Sequence, residues 1–450
     1  MVIFGPELEI FISRSVLSAI SSRARSTASE EAMFPILMKP ILNMLPIRQT
    51  EDKRILVSQD RSAGCEEARE LYISRACLFR SEISLTDYRK KLKPQFSLLE
   101  ADEAGPSPLE VSLRYGLSPQ KVVMLSRNEN PYGPSPRAVA ALRDAALHLH
   151  RYPDARPFVE AVAEYTGSPE EMVVVGAGMD EIIITMARLF LGPGDRAVIP
   201  VPTYTYYSLA ARLCGAIPVY CRRLSSFEVD LHLPEGEMIF LCSPNNPTGN
   251  AASEETVRSV LEASDSIVFL DEAYVEFAKA NLAHLLEDYQ NLVVGRTLSK
   301  AFGLAGLRLG YALAGVGLAE QYRRASPIFS ISSISLAAGT AALRDRDYLR
   351  ECVRKIKSER ERMARQIEGA SPSQANFLYL RTRDRSTRVA EQLLQRGVVV
   401  RDCASFQGAG DHHIRVTVGT PEENEILIEA LASLDSESGS IRKDDLIDFS

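Results

Sequence analysis

The sequence has little of what marks a membrane protein, a disulfide scaffold or a nucleic-acid binder. No stretch reaches the roughly 18 uncharged apolar residues that a transmembrane helix needs, so no membrane partner is expected. The seven cysteines are odd in number and contain no Cys-x-x-Cys spacing. A disulfide framework and a zinc site are therefore both disfavoured, no metal is expected, and a reducing cytoplasm suits the chain. Positive charge is not in excess, with 52 Lys and Arg against 59 Asp and Glu and a net charge of −7. There is no electrostatic reason to expect nucleic acid or an anionic membrane surface as a partner. Gly176-Ala-Gly178 lacks the third glycine of a dinucleotide-binding turn, which disfavours a nucleotide-binding crossover.

What is present is a large globular chain of 450 residues, 45% of them hydrophobic, enough for more than one domain. From Asp87 onward strand and helix signals alternate, and short apolar strands are expected at Arg196–Val201, Ile217–Cys221, Glu237–Leu241, Ser266–Leu270, Leu292–Val294 and Leu307–Leu313. Pro136–His150 reads as a helix with Ser135 as its N-cap. This alternation specifies an α/β fold, a mostly parallel sheet with helices on both faces. A looser repeat of the theme follows, with a charged helix at Tyr348–Ile367 and strands at Phe377–Leu380, Val398–Arg401 and Ile414–Val418. The expected organisation is an N-terminal extension of unknown structure (1–87), an arm and the first part of a small domain (88–166), a large domain (167–325), the rest of the small domain (326–435) and a polar tail (436–450). The Arg- and Ser-rich start has the flavour of a transit peptide, but Glu7 and Glu9 spoil the acid-poor pattern.

Chemistry concentrates at strand ends. Lys300 follows an apolar strand, is bracketed by small residues and has Arg308 downstream. A lysine that is partly buried near another cation loses basicity, and the neutral amine is the form that attacks a carbonyl, so Lys300 is a candidate Schiff-base former. Taken alone it could equally be a strand-terminal lysine paired with a carboxylate. Asp271 and Tyr274 end another apolar strand. Pyridoxal 5′-phosphate needs a buried acid to keep its pyridine nitrogen protonated, and a tyrosine could bond its phenolate oxygen; alone, Asp271 could also be a strand-end acid bonded to backbone amides. Ser243-Pro-Asn-Asn246-Pro-Thr-Gly249 forms a fixed turn where open α/β sheets place their ligands, aiming Asn246 at the cofactor. Gly176-Ala-Gly-Met179-Asp180-Glu181 runs from a strand into a helix with Ile183, Met186, Ala187 and Phe190 on one face, a cradle for a phosphate.

With the further motifs Leu125–Pro136, Arg151-Tyr152-Pro-Asp154, Pro202-Thr-Tyr204, Ser299-Lys300 and Ile414-Arg415-Val-Thr-Val-Gly419, the stretch from about residue 88 to 435 resembles the pyridoxal-phosphate-dependent enzymes of aspartate-aminotransferase fold. It is most similar to the histidinol-phosphate aminotransferases, with threonine-phosphate decarboxylases and aromatic aminotransferases as near relatives. The resemblance implies a large mostly parallel α/β/α cofactor domain, a smaller α/β domain, and a homodimer with shared active sites. It makes Lys300 the lysine linked to the cofactor and Asp271 the partner of the pyridine nitrogen, with Tyr204 stacked on the ring. Ser299, Arg308 and the amides of Met179 and Asp180 would hold the phosphate, together with Tyr152 from the neighbouring subunit. Asn246 and Tyr274 would hold the phenolate oxygen, and Arg415, Arg401 and Asn130 would bind the substrate, phosphate and carboxylate in turn. One departure stands out: Ser326-Pro-Ile-Phe-Ser330-Ile-Ser-Ser333 lacks an asparagine expected there, which bears on the shape of the substrate pocket.

Overall fold

In the computed structural model, residues 2–5, 8–11, 56–57, 91–99 and 105–441 are described. The chain divides into two compact units, Met1–Lys91 and Leu92–Ser450. In the first, Val2–Gly5 pairs antiparallel with Leu8–Phe11 and with Leu56–Val57. Most of the extension expected over 1–87, and the end of the tail beyond Ile441, lie outside the described residues.

The second unit is built on a seven-stranded sheet. Its strands, in chain order, are β1 (Val173–Gly176), β2 (Arg196–Val201), β3 (Ile217–Arg222), β4 (Met238–Cys242), β5 (Ile267–Asp271), β6 (Leu292–Thr297) and β7 (Gly310–Ala314). Their spatial order is β1-β7-β6-β5-β4-β2-β3. All neighbouring pairs are parallel except those of β7, which runs antiparallel to both β6 and β1. The interior strand β4 is buried at every position, as a strand covered on both faces must be. Leu241, Leu270 and Val294 pack on one side with the helices Arg156–Thr166, Glu254–Ala263 and Ser333–Arg344. Phe240, Phe269 and Val293 pack on the other with Gly178–Phe190, Tyr206–Cys214 and Val316–Ala325.

A second, three-stranded antiparallel sheet has β10 (His413–Thr417) between β8 (Phe377–Arg381) and β9 (Arg401–Asp402). The single strand expected over Val398–Arg401 is interrupted at Val400. Val398–Val399 pairs parallel with Val123–Met124, while Arg401–Asp402 turns to join β10. The helix expected over Pro136–His150 ends at Ala146, and the Ser135 hydroxyl accepts from the Ala138 amide at 3.1 Å as an N-cap should. The strand expected from Leu307 begins at Gly310, because Ala305–Leu307 is a 3-10 turn that ends with Arg308 in the left-handed region at φ 48°. The last helix runs from Pro421 to Ile441, into the stretch expected to be a loose tail.

Candidate active site

The C-terminal ends of β4, β5 and β6 deliver the chemistry, because parallel strands end together along one edge. Asp271 is the last residue of β5 and is only 3% exposed. Its Oδ2 accepts from the Tyr207 hydroxyl at 2.6 Å and its Oδ1 from the Ala273 amide at 3.0 Å. Among the described residues no cation pairs with it, and burial pushes its carboxyl up to about 6, with the two hydrogen bonds opposing. The neighbouring Glu272 is instead fully engaged: it pairs with Arg296 at 2.7 Å in a buried ion pair and accepts the Leu282 amide.

Lys300 follows β6, and its Nζ donates to the Arg127 carbonyl at 3.0 Å while lying 5.8 Å from the Tyr274 ring. Burial pulls its amine down to about 8, with Arg415 and Arg308 adding to the effect and Glu129 and Asp180 opposing it. The buried Tyr274 hydroxyl accepts from Asn128 Nδ2 at 3.0 Å, and its ring meets Phe377 edge-on at 5.1 Å. Burial raises the phenol's pKa, keeping it a neutral donor.

The phosphate cradle is assembled from three segments. Gly178 opens the helix Gly178–Phe190 at φ 80°, so the amides of Met179 and Asp180 lie in a first turn that no helix carbonyl reaches. A Cβ on Gly178 would stand 2.7 Å from Arg308 Nη2, so only glycine allows that guanidinium to approach. Arg308 Nη2 pairs with Asp180 Oδ2 at 2.9 Å, and Asp180 Oδ1 accepts from the Tyr204 hydroxyl at 3.0 Å. Ser299 receives a hydrogen bond from Thr297 Oγ1 at 3.0 Å, which leaves its own hydroxyl hydrogen to donate.

The substrate side comes from the second sheet. Arg415 on β10 is 6% exposed, and its Nη1 donates to Asn246 Oδ1 while its Nη2 donates to the Ser126 carbonyl. Its buried Nε has no partner among the described residues, and burial lowers the guanidinium's pKa. The β9–β10 register sets Arg401 opposite Arg415, on the same face. Arg401 is half-buried, donates to Ser405 Oγ at 3.3 Å and lies 5.4 Å over the Phe406 ring. Two expected residues stand differently. Asn130 engages the chain with both ends of its amide, Nδ2 donating to the Ala301 carbonyl at 2.8 Å and Oδ1 accepting from the Tyr132 amide at 2.9 Å, so it supports the segment after Lys300. Tyr152 is 82% exposed and stacks on Phe329 at 4.6 Å, at the surface.

Asn128, Tyr207 and Asn376 were not singled out by the sequence. Asn128, buried at φ 56°, receives Asn376 Nδ2 on its carbonyl at 2.9 Å and gives its own Nδ2 to Tyr274. Its position in Leu125–Pro136 was the available signal; that of Tyr207, three residues past Tyr204, was nothing more than proximity.

These residues fit pyridoxal 5′-phosphate on chemical grounds. A buried carboxylate without a cation suits a protonated ring nitrogen, a lysine of lowered basicity suits a carbonyl, and a helix start beside an arginine suits a phosphate. The comparisons agree. A family model described as aminotransferase class I and II matches residues 120–431. The histidinol-phosphate aminotransferase of Methanosarcina mazei is 44% identical over 360 residues, 78% of this chain and 98% of that protein. Histidinol-phosphate aminotransferase 1 of Archaeoglobus fulgidus is 43% identical over 69% of this chain and 98% of its own length. Among solved structures, histidinol-phosphate aminotransferase from Sinorhizobium meliloti in complex with pyridoxal-5′-phosphate superposes with a TM-score of 0.68 at 26% identity, covering 76% of this chain and 98% of that one. The α/β fold expected from the sequence is therefore that of the aminotransferases, and the chain belongs to the class I and II aminotransferase family, among its histidinol-phosphate aminotransferases.

Proposed function

We propose that the protein is a pyridoxal-phosphate-dependent transaminase that takes the amino group of histidinol phosphate and gives it to 2-oxoglutarate, yielding imidazole-acetol phosphate and glutamate in histidine biosynthesis. The likeness to the Methanosarcina mazei protein over nearly its whole length supports the substrate assignment. The structural observation that carries the chemistry is a lysine of lowered basicity and a buried arginine that pairs with no carboxylate among the described residues, brought together from different sheets.

The cofactor, when bound, supplies a carbonyl for the substrate amine and an acceptor for the electrons of a breaking Cα bond. Met179 and Asp180 amides, Ser299 and Arg308 would hold its phosphate, Asp271 its ring nitrogen, Tyr204 its ring face, and Asn246 and Tyr274 its phenolate oxygen. Lys300 Nζ, neutral in a useful fraction near pH 8, takes the proton from the substrate Cα. Asp271, held by Tyr207 and Ala273, keeps the site's charge balance fixed during that step. Arg415 receives the substrate anion; its guanidinium bonds phosphate and carboxylate alike, so one residue serves both half-reactions. Arg401 flanks it.

We further read the assembly as a homodimer, since Tyr152, Ile328 and Phe329 form an exposed apolar group of a kind that a second copy covers. The five described cysteines are all unpaired, which supports a cytoplasmic location, and no described helix is long and apolar enough to cross a membrane. The test of the substrate is a panel: holoenzyme with histidinol phosphate, phenylalanine or threonine phosphate, each with 2-oxoglutarate. Glutamate should form fastest from histidinol phosphate. Carbon dioxide released from threonine phosphate, with no glutamate formed, would move the assignment to the decarboxylases.

A further inference from the structure

Arg223, just past β3, is a cation whose use the chemistry above does not explain. Among the described residues no carboxylate lies within ion-pair distance of it, its Nε is buried without a partner, and burial lowers its guanidinium to about 10, so it stays charged at neutral pH. Burying a charge in this way is costly unless its hydrogen bonds secure something. What they secure is two pieces of chain. Nη2 donates to Asn245 Oδ1 at 3.0 Å, and Nη1 donates to the Phe227 carbonyl at 3.2 Å.

Asn245 is the residue before Asn246 and is fully buried. Its Oδ1 also accepts from Thr203 Oγ1 at 2.8 Å, and its Nδ2 donates to the Pro202 carbonyl at 3.0 Å and to Thr248 Oγ1 at 2.7 Å. This one amide therefore joins the turn that carries Asn246 to the segment that carries Tyr204. Arg223 supplies the charge-assisted member of that set.

Phe227 leads to the other sheet. Its backbone stands at φ 64°, a left-handed conformation that a non-glycine residue adopts only at a cost, and it is held by two donors on its carbonyl, Arg223 and Asn250 Nδ2 at 3.0 Å. A strained residue held from several sides is one whose placement matters. Its ring packs edge-on against Tyr379 at 5.5 Å and His413 at 6.4 Å, which themselves stack at 4.5 Å. Tyr379 is the residue opposite Arg415 in the β8–β10 register, and Phe227 joins the cluster of Tyr379, Cys403, Phe406 and Ala409, whose Phe406 lies under Arg401.

We propose that Arg223 and Phe227 act as a positioning pair that fixes the Asn246 turn relative to the strands bearing Arg415 and Arg401, and so sets the affinity of the anion site. The inference rests on the reading of Arg415 as the anion receptor. Neither residue touches the substrate; both act through others.

The experiment compares holoenzyme carrying Arg223→Gln, Arg223→Lys, Phe227→Ala and the Arg223→Gln/Phe227→Ala pair. Arg223→Gln should raise KM for amino donor and 2-oxoglutarate together by about tenfold, with kcat changed less than threefold. Arg223→Lys, which keeps a charged donor, should recover most of that. Phe227→Ala should reproduce the KM rise, and the double variant should be little worse than the worse single, because the two residues form one link. Calorimetric binding of 2-oxoglutarate to the holoenzyme should weaken in the same order without any turnover, so a different amino donor would sink the substrate assignment and leave this test intact. Unchanged KM and 2-oxoglutarate affinity in Arg223→Gln, whatever its Tm, would overturn the proposal, as would single effects that multiply in the double variant.

Discussion

Lys300 and Asp271 are shifted in opposite senses by one cause, burial, and the pH dependence of each follows. The lysine drops from an ordinary 10.5 to about 8, so the unfolded chain holds a proton there that the folded chain has lost between those values. Its burial therefore costs stability fully below pH 8, and the cost fades as pH rises toward 10.5. The aspartate rises from 3.8 to about 6, so its cost is full above pH 6 and fades as pH falls toward 3.8. Asp271→Asn should accordingly lower kcat by several orders of magnitude while leaving the cofactor-free protein as stable as wild type or more so at pH 8. Thermal melts of both at pH 8 and pH 5 check this: the variant's advantage should shrink at the lower pH, and an advantage that grows there contradicts the assigned shift. Lys300→Ala should abolish turnover yet retain cofactor, since the phosphate and ring contacts remain; gel filtration with the absorbance of retained cofactor reads the second half, and measurable turnover would remove Lys300 from its role.

At the scale of elements, the strand-to-helix turn from β1 into Gly178–Phe190 is the most constrained piece of the site. Gly178→Ala would have to adopt φ 80° with a side chain and push its Cβ to 2.7 Å from Arg308. The expected result is a holoenzyme with cofactor affinity weakened by at least tenfold and kcat at saturating cofactor changed far less, measured by titrating the cofactor-free protein. Turns of this kind were legible from sequence because glycine, proline and strand periodicity act locally: Lys300, Asp271, Asn246 and the cradle all sit at strand ends that the pattern marks. The Ser135 cap was legible for the same reason. What the pattern could not carry were pairings between distant segments. Asn128 meets Tyr274 across 146 residues, Arg415 meets Asn246 across 169, and the break at Val400 arises because two different strands claim its neighbours. Asn130, which its motif offers as a substrate contact, also reaches a segment the pattern does not link to it, bonding the Ala301 carbonyl across 171 residues.

At the scale of the whole molecule, the dimer reading places Tyr152 at a neighbour's cofactor phosphate, which explains an exposed tyrosine stacked on an exposed phenylalanine in the isolated chain. Mixing Tyr152→Ala subunits with Lys300→Ala subunits should then rebuild one intact site per hybrid dimer, with activity above either parent; no gain on mixing, with hybrid formation verified by native mass spectrometry, would separate Tyr152 from the partner's site.

The two sheets meet where Arg415, on β10, bonds Asn246, in the turn after β4, and the account rests on that one cation receiving both substrates. The direct measurement is kcat/KM of Arg415→Ala for histidinol phosphate and for 2-oxoglutarate in separate half-reactions. Each should fall by about 2–4 kcal/mol of lost charged hydrogen bonding, roughly 30- to 1,000-fold, and by similar factors. A loss confined to 2-oxoglutarate would mean that the phosphate binds elsewhere, and would contradict the shared anion site.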